Sequence, residues 1–379
     1  MKNTLINNVS CDVLIVGAGP AGLLLAKKIA EHFKVIIIEK REIGNTSKFW
    51  MTTQNRLKRH DMLHCEIAHS RQITLGCFMG STSIATGEAS IIDEGILLST
   101  LSARCKKANV LFYEKCEIVS LCWKNDYLFV DIGRTNISCR LLIDCSGGFS
   151  IISSTYQLNK IYGFFSVYGA HITNIELNSN SIALAHIIRL GYPPPYFEVI
   201  PIDYNSAICA VFISSKRLVD PFSLKEIFED HINSNPFFKL RKDSVIISNK
   251  MGGIPIGKRI KAHVPNIISY GESAMMQSPL MGSAFNEILE YNDLVASQIV
   301  QFLGNANTGS DFLDLKYPKL KYICDFIHRI IVRKLLAGNV ATFDNIIRKT
   351  SKMNPEILFR IISNDLNYSE LQHLLSLLY

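Results

Sequence analysis

The sequence is short of charge: 19% of its 379 residues are Asp, Glu, Lys or Arg, against about 25% in an ordinary soluble domain. With 48% hydrophobic residues, this excludes a disordered or collagen-like chain and predicts a compact protein with an apolar cavity or an apolar surface. A chain of 379 residues buries a large core, which excludes a small disulfide scaffold, and its 10 cysteines are scattered without a Cys-x-x-Cys pair, so a reduced, cytoplasmic protein is expected. No long apolar run occurs near the start. The first apolar segment, Val13 to Ala26, is interrupted by Gly17, Gly19, Pro20 and Gly22. It is too short to span a bilayer and reads as neither a membrane span nor a signal peptide. The formal charge of +7 is spread over short runs such as Arg56/Lys58/Arg59 and Lys258/Arg259. These lack the interleaved aromatics of nucleic-acid binders, so no nucleic acid is expected; solvated faces and a peripheral membrane contact both fit.

What is present has a clear order. Cys11 to Val16 reads as a strand, a glycine loop follows, and Ala21 to Phe33 has helical spacing. A second apolar run, Val35 to Ile38, ends at Glu39 and completes a strand-helix-strand unit. The polar stretch from Lys40 to about Ser90 reads as loops and edge strands. Asp93 to Ala108 returns to helix, with short strands near 110–112, 117–121, 127–131 and 138–144. A second body with strand-like alternation runs from about Ile161 to Asn249, with a helix near 224–232. A strand over 266–270 and a helix over 282–303 rejoin the first body, and the chain beyond Gly304 is helical. The expected division is a discontinuous cofactor domain of residues 1–40, 90–160 and 250–305, a substrate domain of residues 41–89 and 161–249, and a C-terminal helical region of residues 306–379. The last either packs on the body or offers a basic amphipathic face to a membrane.

Gly17-Ala18-Gly19-Pro20-Ala21-Gly22 is a G-x-G-x-x-G placed between a strand and a helix. Gly17 allows the tight turn, Gly19 lets the backbone approach a pyrophosphate, and Gly22 lets the helix pack closely on the strand. The pyrophosphate would rest on the unpaired N–H groups at the helix start. Glu39, followed by Lys40, is the candidate ribose contact, and its carboxylate repels a 2′-phosphate. The site therefore fits FAD or NAD and not NADP.

Two further segments complete the pattern: LLIDCSGG (141–148), a strand ending in Asp and a glycine turn, and IISYGESAMMQSPLMGSAFN (267–286). Together the three segments resemble the flavoprotein family that contains group A flavin monooxygenases, geranylgeranyl reductases and flavin-dependent lycopene cyclases. The resemblance covers about residues 10–305. It implies an α/β fold with a Rossmann-like, p-hydroxybenzoate hydroxylase-like FAD domain, an inserted mixed β-sheet substrate domain and C-terminal helices. It also implies FAD contacts at Ile118 beside the adenine, Gly147 in the second motif, Gly271 and Glu272 at the ribityl and pyrophosphate groups, and Pro279 near the ring. A helix starting at Gly282-Ser283-Ala284 would point its N-terminus at the flavin. The family usually carries Asp where this chain has Glu272.

The same resemblance places a substrate cavity under the middle sheet. Tyr196-Phe197-Glu198-Val199-Ile200-Pro201 is similar to the Y-x-W-x-F-P stretch of the reductases, and alternation puts Tyr196, Glu198 and Ile200 on one face. A carboxylate in an apolar cavity has a raised pKa and serves as acid or base near neutrality, which makes Glu198 the candidate catalytic residue. Trp50 is a candidate pocket residue. Tyr168 and His171 lie on opposite faces of one strand, so at most one faces the cavity; Tyr168 is taken as the pocket residue. Residues 210–215 (AVFISS) stand where the cyclases carry F-L-E-E-T, so the acids of polyene cyclisation are missing. His60 and His64 have i, i+4 spacing but no closed ligand set, and no metal is expected.

No second G-x-G-x-x-G occurs, so NADH or NADPH would bind transiently or a partner reductase would deliver electrons. The expectation is an FAD-dependent oxidoreductase, a monooxygenase or dehydrogenase of an apolar or aromatic small molecule of specialised metabolism. Two alternatives stand beside it: a redox-neutral cyclase or isomerase, and a non-catalytic FAD-binding partner protein.

Overall fold

The apolar run Val13–Val16 ends the first strand, β1 (Asn7–Val16), in the computed structural model. It describes residues 7–46, 48–76, 80–186, 195–233, 235–260, 264–305, 312–337 and 340–377. Gly17 turns the chain at φ +106°, and Pro20, whose fixed φ suits a first turn, opens helix α1 (Pro20–Ile29). Strand β2 (Val35–Glu39) returns parallel to β1, pairing Val13 with Val35 and Val16 with Ile38. The stretches Val13–Ile15 and Val35–Ile38 are buried on both faces, as a parallel sheet requires.

The chain then crosses to a second sheet for β3 (Trp50–Thr53), helix α2 (Gln54–Arg59), β4 (Glu66–Gly76) and β5 (Thr82–Ile92). Helix α3 (Glu94–Lys107) brings it back, capped by the Asp93 carboxylate, which accepts the Ile96 N–H at 2.8 Å. Strand β6 (Leu111–Glu114) adds beside β2, while β7 (Ser120–Lys124) and β8 (Tyr127–Asp131) form a hairpin. Strand β9 (Thr135–Asp144) lies parallel to β1. This gives the order β6-β2-β1-β9-β8-β7, with one later strand added on β9.

Helix α4 (Ile151–Thr155) leads into β10 (Asn159–Leu177), β11 (Ile182–His186), β12 (Tyr196–Pro201) and β13 (Ser206–Ser215). Helix α5 (Pro221–Ile232) and the 22-residue strand β14 (Phe238–Arg259) follow. The second sheet has the order β14-β10-β13-β12-β11-β4-β5-β3. Strand β15 (Ile267–Ser269) then rejoins β9. Helices α6 (Phe285–Gly304), α7 (Lys319–Ala337), α8 (Val340–Thr350), α9 (Pro355–Ile362) and α10 (Leu371–Ser376) complete the chain.

Several expectations shift. Strands β4 and β5 are 11 residues each and β5 lies between β4 and β3, so they are not the loops and edge strands expected from their polarity. Strand β14 stays in the second sheet to Arg259, past the expected boundary at 250. Gly282, Ser283 and Ala284 precede α6 instead of opening it: Gly282 sits at φ +69° and the helix begins at Phe285.

The tail helices pack on the body. Leu358 and Phe359 of α9 are buried against Ala85, Ala89 and Ile91 of β5. Gly87 permits this approach, since a Cβ there would overlap the Phe359 ring. Arg56 of α2 is buried and ties the end of α9 down, donating to the carbonyls of Ser363 at 2.9 Å and Asn364 at 3.3 Å.

Candidate active site

The cradle starts where β1 ends. A Cβ on Gly22 would overlap the Gly17 carbonyl oxygen, so only glycine lets α1 start this close to the turn. Gly19 is the N-cap of α1 and supplies no side-chain cap, and a Cβ there would meet nothing within 4 Å. Helix N–H groups beside open space are the donors an anion needs, so the residues present fit a pyrophosphate. Pro20 and Ala21 form the buried first turn. Glu39 accepts the Ala18 N–H at 2.8 Å and the Arg41 N–H at 2.9 Å, which holds its carboxylate against the glycine loop. Lys40 is exposed beyond it. Ile118 is half-buried in the segment that follows Cys116, whose N–H reaches the Glu39 carbonyl at 3.0 Å.

The second and third motifs meet beside this loop. Asp144 is fully buried and accepts hydrogen bonds from the hydroxyls of Ser146 at 2.6 Å and of Ser150 and Ser153 at 2.5 Å. Charge-assisted bonds of this kind are strong, and they shape the turn to Gly147 and Gly148. The Glu272 carboxylate faces that turn and is ion-paired with Lys48. Gly271, at φ +77°, lies against Ala21 of α1; a Cβ there would be 2.7 Å from the Ala21 Cβ. All three motifs thus converge on one space.

Pro279 is buried in the loop before α6, where Gly282 donates its N–H to the Ser278 carbonyl at 2.8 Å. No side chain caps the first turn of α6 at Ala284, and Ser283 is half-buried beside it. Trp50 stacks on Phe285, the first residue of α6, at 5.9 Å between centroids.

Register decides what faces this loop. Tyr196 pairs with Phe212, Glu198 with Ala210 and Ile200 with Ile208; β10 continues these rows with Val167, Gly169 and His171. Phe165, on the same face of β10, touches the Gly282 position and packs with Ile254 and Leu280. Glu198 therefore faces the side of the sheet on which the Pro279 loop lies. Across the strands Glu198 faces Ala210 and then Gly169 on one side, before Lys250 of β14, and Leu184 of β11 on the other. Glu198 keeps part of its surface accessible while burial within the protein raises its carboxyl to about 7. Among the described residues no side chain is hydrogen-bonded to this carboxylate. Tyr196 stacks on Phe212 at 4.8 Å, and Ile200 is buried near Met281.

Tyr168 is a correction. It lies on the opposite face, buried against Phe228 of α5 at 5.2 Å, because period-two alternation puts His171 on the Glu198 face instead.

Three features escaped the sequence reading. Lys48 meets Glu272 across 224 residues. Lys321 of α7 is buried between Glu287 of α6 at 2.6 Å and Asp325 at 3.1 Å. His328 of α7 is fully buried with its Nδ1 3.2 Å from the Ser278 hydroxyl, and burial lowers its pKa to about 4. Each joins segments far apart in the chain, so local patterning carries no signal for it.

Comparison with known proteins agrees with this geometry. The lycopene cyclase protein family model matches residues 12–174. The chain is 24% identical over 356 residues to digeranylgeranylglycerophospholipid reductase 3 of Methanosphaera stadtmanae, covering 87% of this chain and 85% of that protein. A geranylgeranyl bacteriochlorophyll reductase-like protein from Thermoplasma acidophilum superimposes with a TM-score of 0.74 at 16% identity, over 97% of this chain and 96% of that one. The p-nitrophenol 4-monooxygenase of Pseudomonas putida gives a TM-score of 0.65 at 11% identity, over 98% of both chains. With its three motifs gathered at one site, the chain is similar to the FAD-dependent oxidoreductases that include group A flavin monooxygenases, geranylgeranyl reductases and lycopene cyclases, and shares their fold.

Proposed function

We propose that this protein holds FAD and uses it to oxidise or reduce an apolar or aromatic small molecule of specialised metabolism, with Glu198 moving a substrate proton. The observation that carries the reading is the Glu198 carboxyl, raised to about 7 on the face that looks toward the Pro279 loop. Bound FAD would supply the electron transfer, as hydride exchange with substrate or as oxygen activation of the monooxygenase kind. NADH, NADPH or a partner reductase is the proposed electron source.

The chain's own residues do the rest. The first-turn N–H groups of α1 hold the pyrophosphate and Glu39 accepts from the ribose hydroxyls. The uncapped start of α6 favours negative charge beside Pro279. Tyr196, Phe212 and Val167 give the Glu198 face of the sheet an apolar row, consistent with an apolar substrate and with the reductase names among the relatives. Near neutral pH Glu198 is present in both protonation states, so it can give or take a proton.

One observation favours a second reading, a redox-neutral cyclase or isomerase. Glu198 lies on the strand beside residues 210–215, where the cyclases carry their acids, and shares one face of the sheet with Phe212. A single acid then stands one strand away from the family's pair.

Anaerobic mixing of FAD-loaded protein with NADH and NADPH, followed by isoprenoid and aromatic test substrates with and without oxygen, separates these. The oxidoreductase reading expects flavin bleaching coupled to product, and about a 100-fold or greater loss of product formation in Glu198→Gln with flavin reduction intact. Product formed at constant flavin redox state transfers the assignment to the second reading, and full activity in Glu198→Gln removes Glu198 from the mechanism.

A further inference from the structure

Helix α7 has two different faces. Inward, Val332 and Leu336 pack with Phe165, Ile254 and Leu280, and His328 bonds Ser278 of the flavin loop. Outward, Tyr322, Ile323 and Phe326 are 49%, 39% and 59% exposed. Three large apolar side chains at i, i+1 and i+4 form one stripe instead of the scattered exposure normal for a surface. Lys319 and Arg333 are exposed before and after this stripe. The one acid of α7, Asp325, turns toward the buried Lys321.

The positive rim continues onto the second sheet. Arg333 lies over the Tyr162 ring at 4.9 Å, next to the start of β10. There Lys160 pairs directly with Lys258 of β14, and both are exposed. Like charges directly opposite each other destabilise a strand pair unless an anion sits over them. Residues 159–163 (NKIYG) and 251–259 (MGGIPIGKR) contain no acid. Aromatic and aliphatic residues centred between cations match the layering of a lipid interface, with apolar groups below the headgroups and cations at the phosphates.

We propose that the outer face of α7, together with the Lys160/Lys258 end of the second sheet, seats this protein on an anionic lipid bilayer. No described helix is long and apolar enough to cross a membrane, so the contact is an interfacial one. The inner side of the same helix touches the flavin loop. A bilayer on α7 therefore lies about one helix diameter, ~10 Å, from the proposed site, close enough for an apolar substrate to enter from lipid. The seating itself does not depend on the redox reading.

Co-sedimentation of the full FAD-loaded chain with vesicles of phosphatidylcholine alone, and of phosphatidylcholine with phosphatidylglycerol, tests this. Binding to the anionic vesicles only is expected, falling as salt rises. Each of Lys160→Gln and Lys258→Gln should weaken it about fivefold, and Phe326→Asp should abolish it with FAD retained. Should Phe326→Asp fail to fold, Tyr322→Ser serves for the apolar stripe. The proposal fails if wild-type protein does not bind anionic vesicles, or if none of these variants alters binding. Lipid-free self-association that is lost in Phe326→Asp would show that the face meets a second copy of the chain, and would also overturn it.

Discussion

Two desolvated titratable groups carry opposite pH signatures. Glu198 keeps its proton to about 7 in the folded protein and releases it near 4.5 when exposed. Its raised pKa favours folding at acid pH, and that contribution is lost as pH rises through the window 4.5–7. Glu198→Gln should therefore gain melting temperature relative to wild type as pH goes from 5 to 8, read by calorimetry; an unchanged difference would show that the carboxyl is not desolvated. His328 behaves in the reverse sense. Burial lowers its pKa from 6.5 to about 4, so stability falls as pH drops through that window. His328→Asn should flatten the acid limb of the stability profile in the same experiment. Glu198 was legible in the sequence because strand alternation alone fixes which residues share its face. His328 was not, since its partner Ser278 is 50 residues away on a loop that only packing brings to it.

The glycine loop and its helix form the most sequence-determined element, since G-x-G-x-x-G between strand and helix has few other uses. The structure adds the reason for its tightness, the contact between the Gly22 position and the Gly17 carbonyl. Gly22→Val should cost about 1–3 kcal/mol of stability, measured by urea unfolding, and should weaken dinucleotide binding more than it weakens the fold. Helix α2 makes a different prediction. Arg56 is fully buried among the carbonyls at the end of α9, with Glu290 at 3.5 Å and Asp365 at 3.3 Å. Arg56→Ala strands that charged network and should cost about 3–5 kcal/mol by the same assay. The polar stretch before Ser90 hid β4 and β5 because strands flanked on both sides in this sheet still carry Glu, His, Gln and Thr on the less buried face. The start of α6 was misplaced by three residues because the left-handed Gly282 belongs to the turn, a distinction of backbone angle that composition does not show.

As a whole, the molecule builds its candidate site from segments that no single stretch of chain contains. The first sheet brings Gly17–Gly22, Gly147 and Gly271 together through β1, β9 and β15. The second sheet presents Glu198 beside Ala210 and Gly169, and α7 and α9 pack on that same face. The expected discontinuity of the cofactor body follows from where the motifs fall; the role of the tail helices emerges only from packing, through Lys321, His328 and Arg56. The most direct test of the account is a titration of apo-protein with FAD, followed by flavin fluorescence and visible absorption, in wild type and Gly22→Val. The account predicts saturable binding of one FAD per chain with a shifted flavin spectrum, lost or strongly weakened in the variant while its far-ultraviolet circular dichroism is retained. Absence of FAD binding in the wild type, or equal binding by a folded Gly22→Val protein, would contradict it.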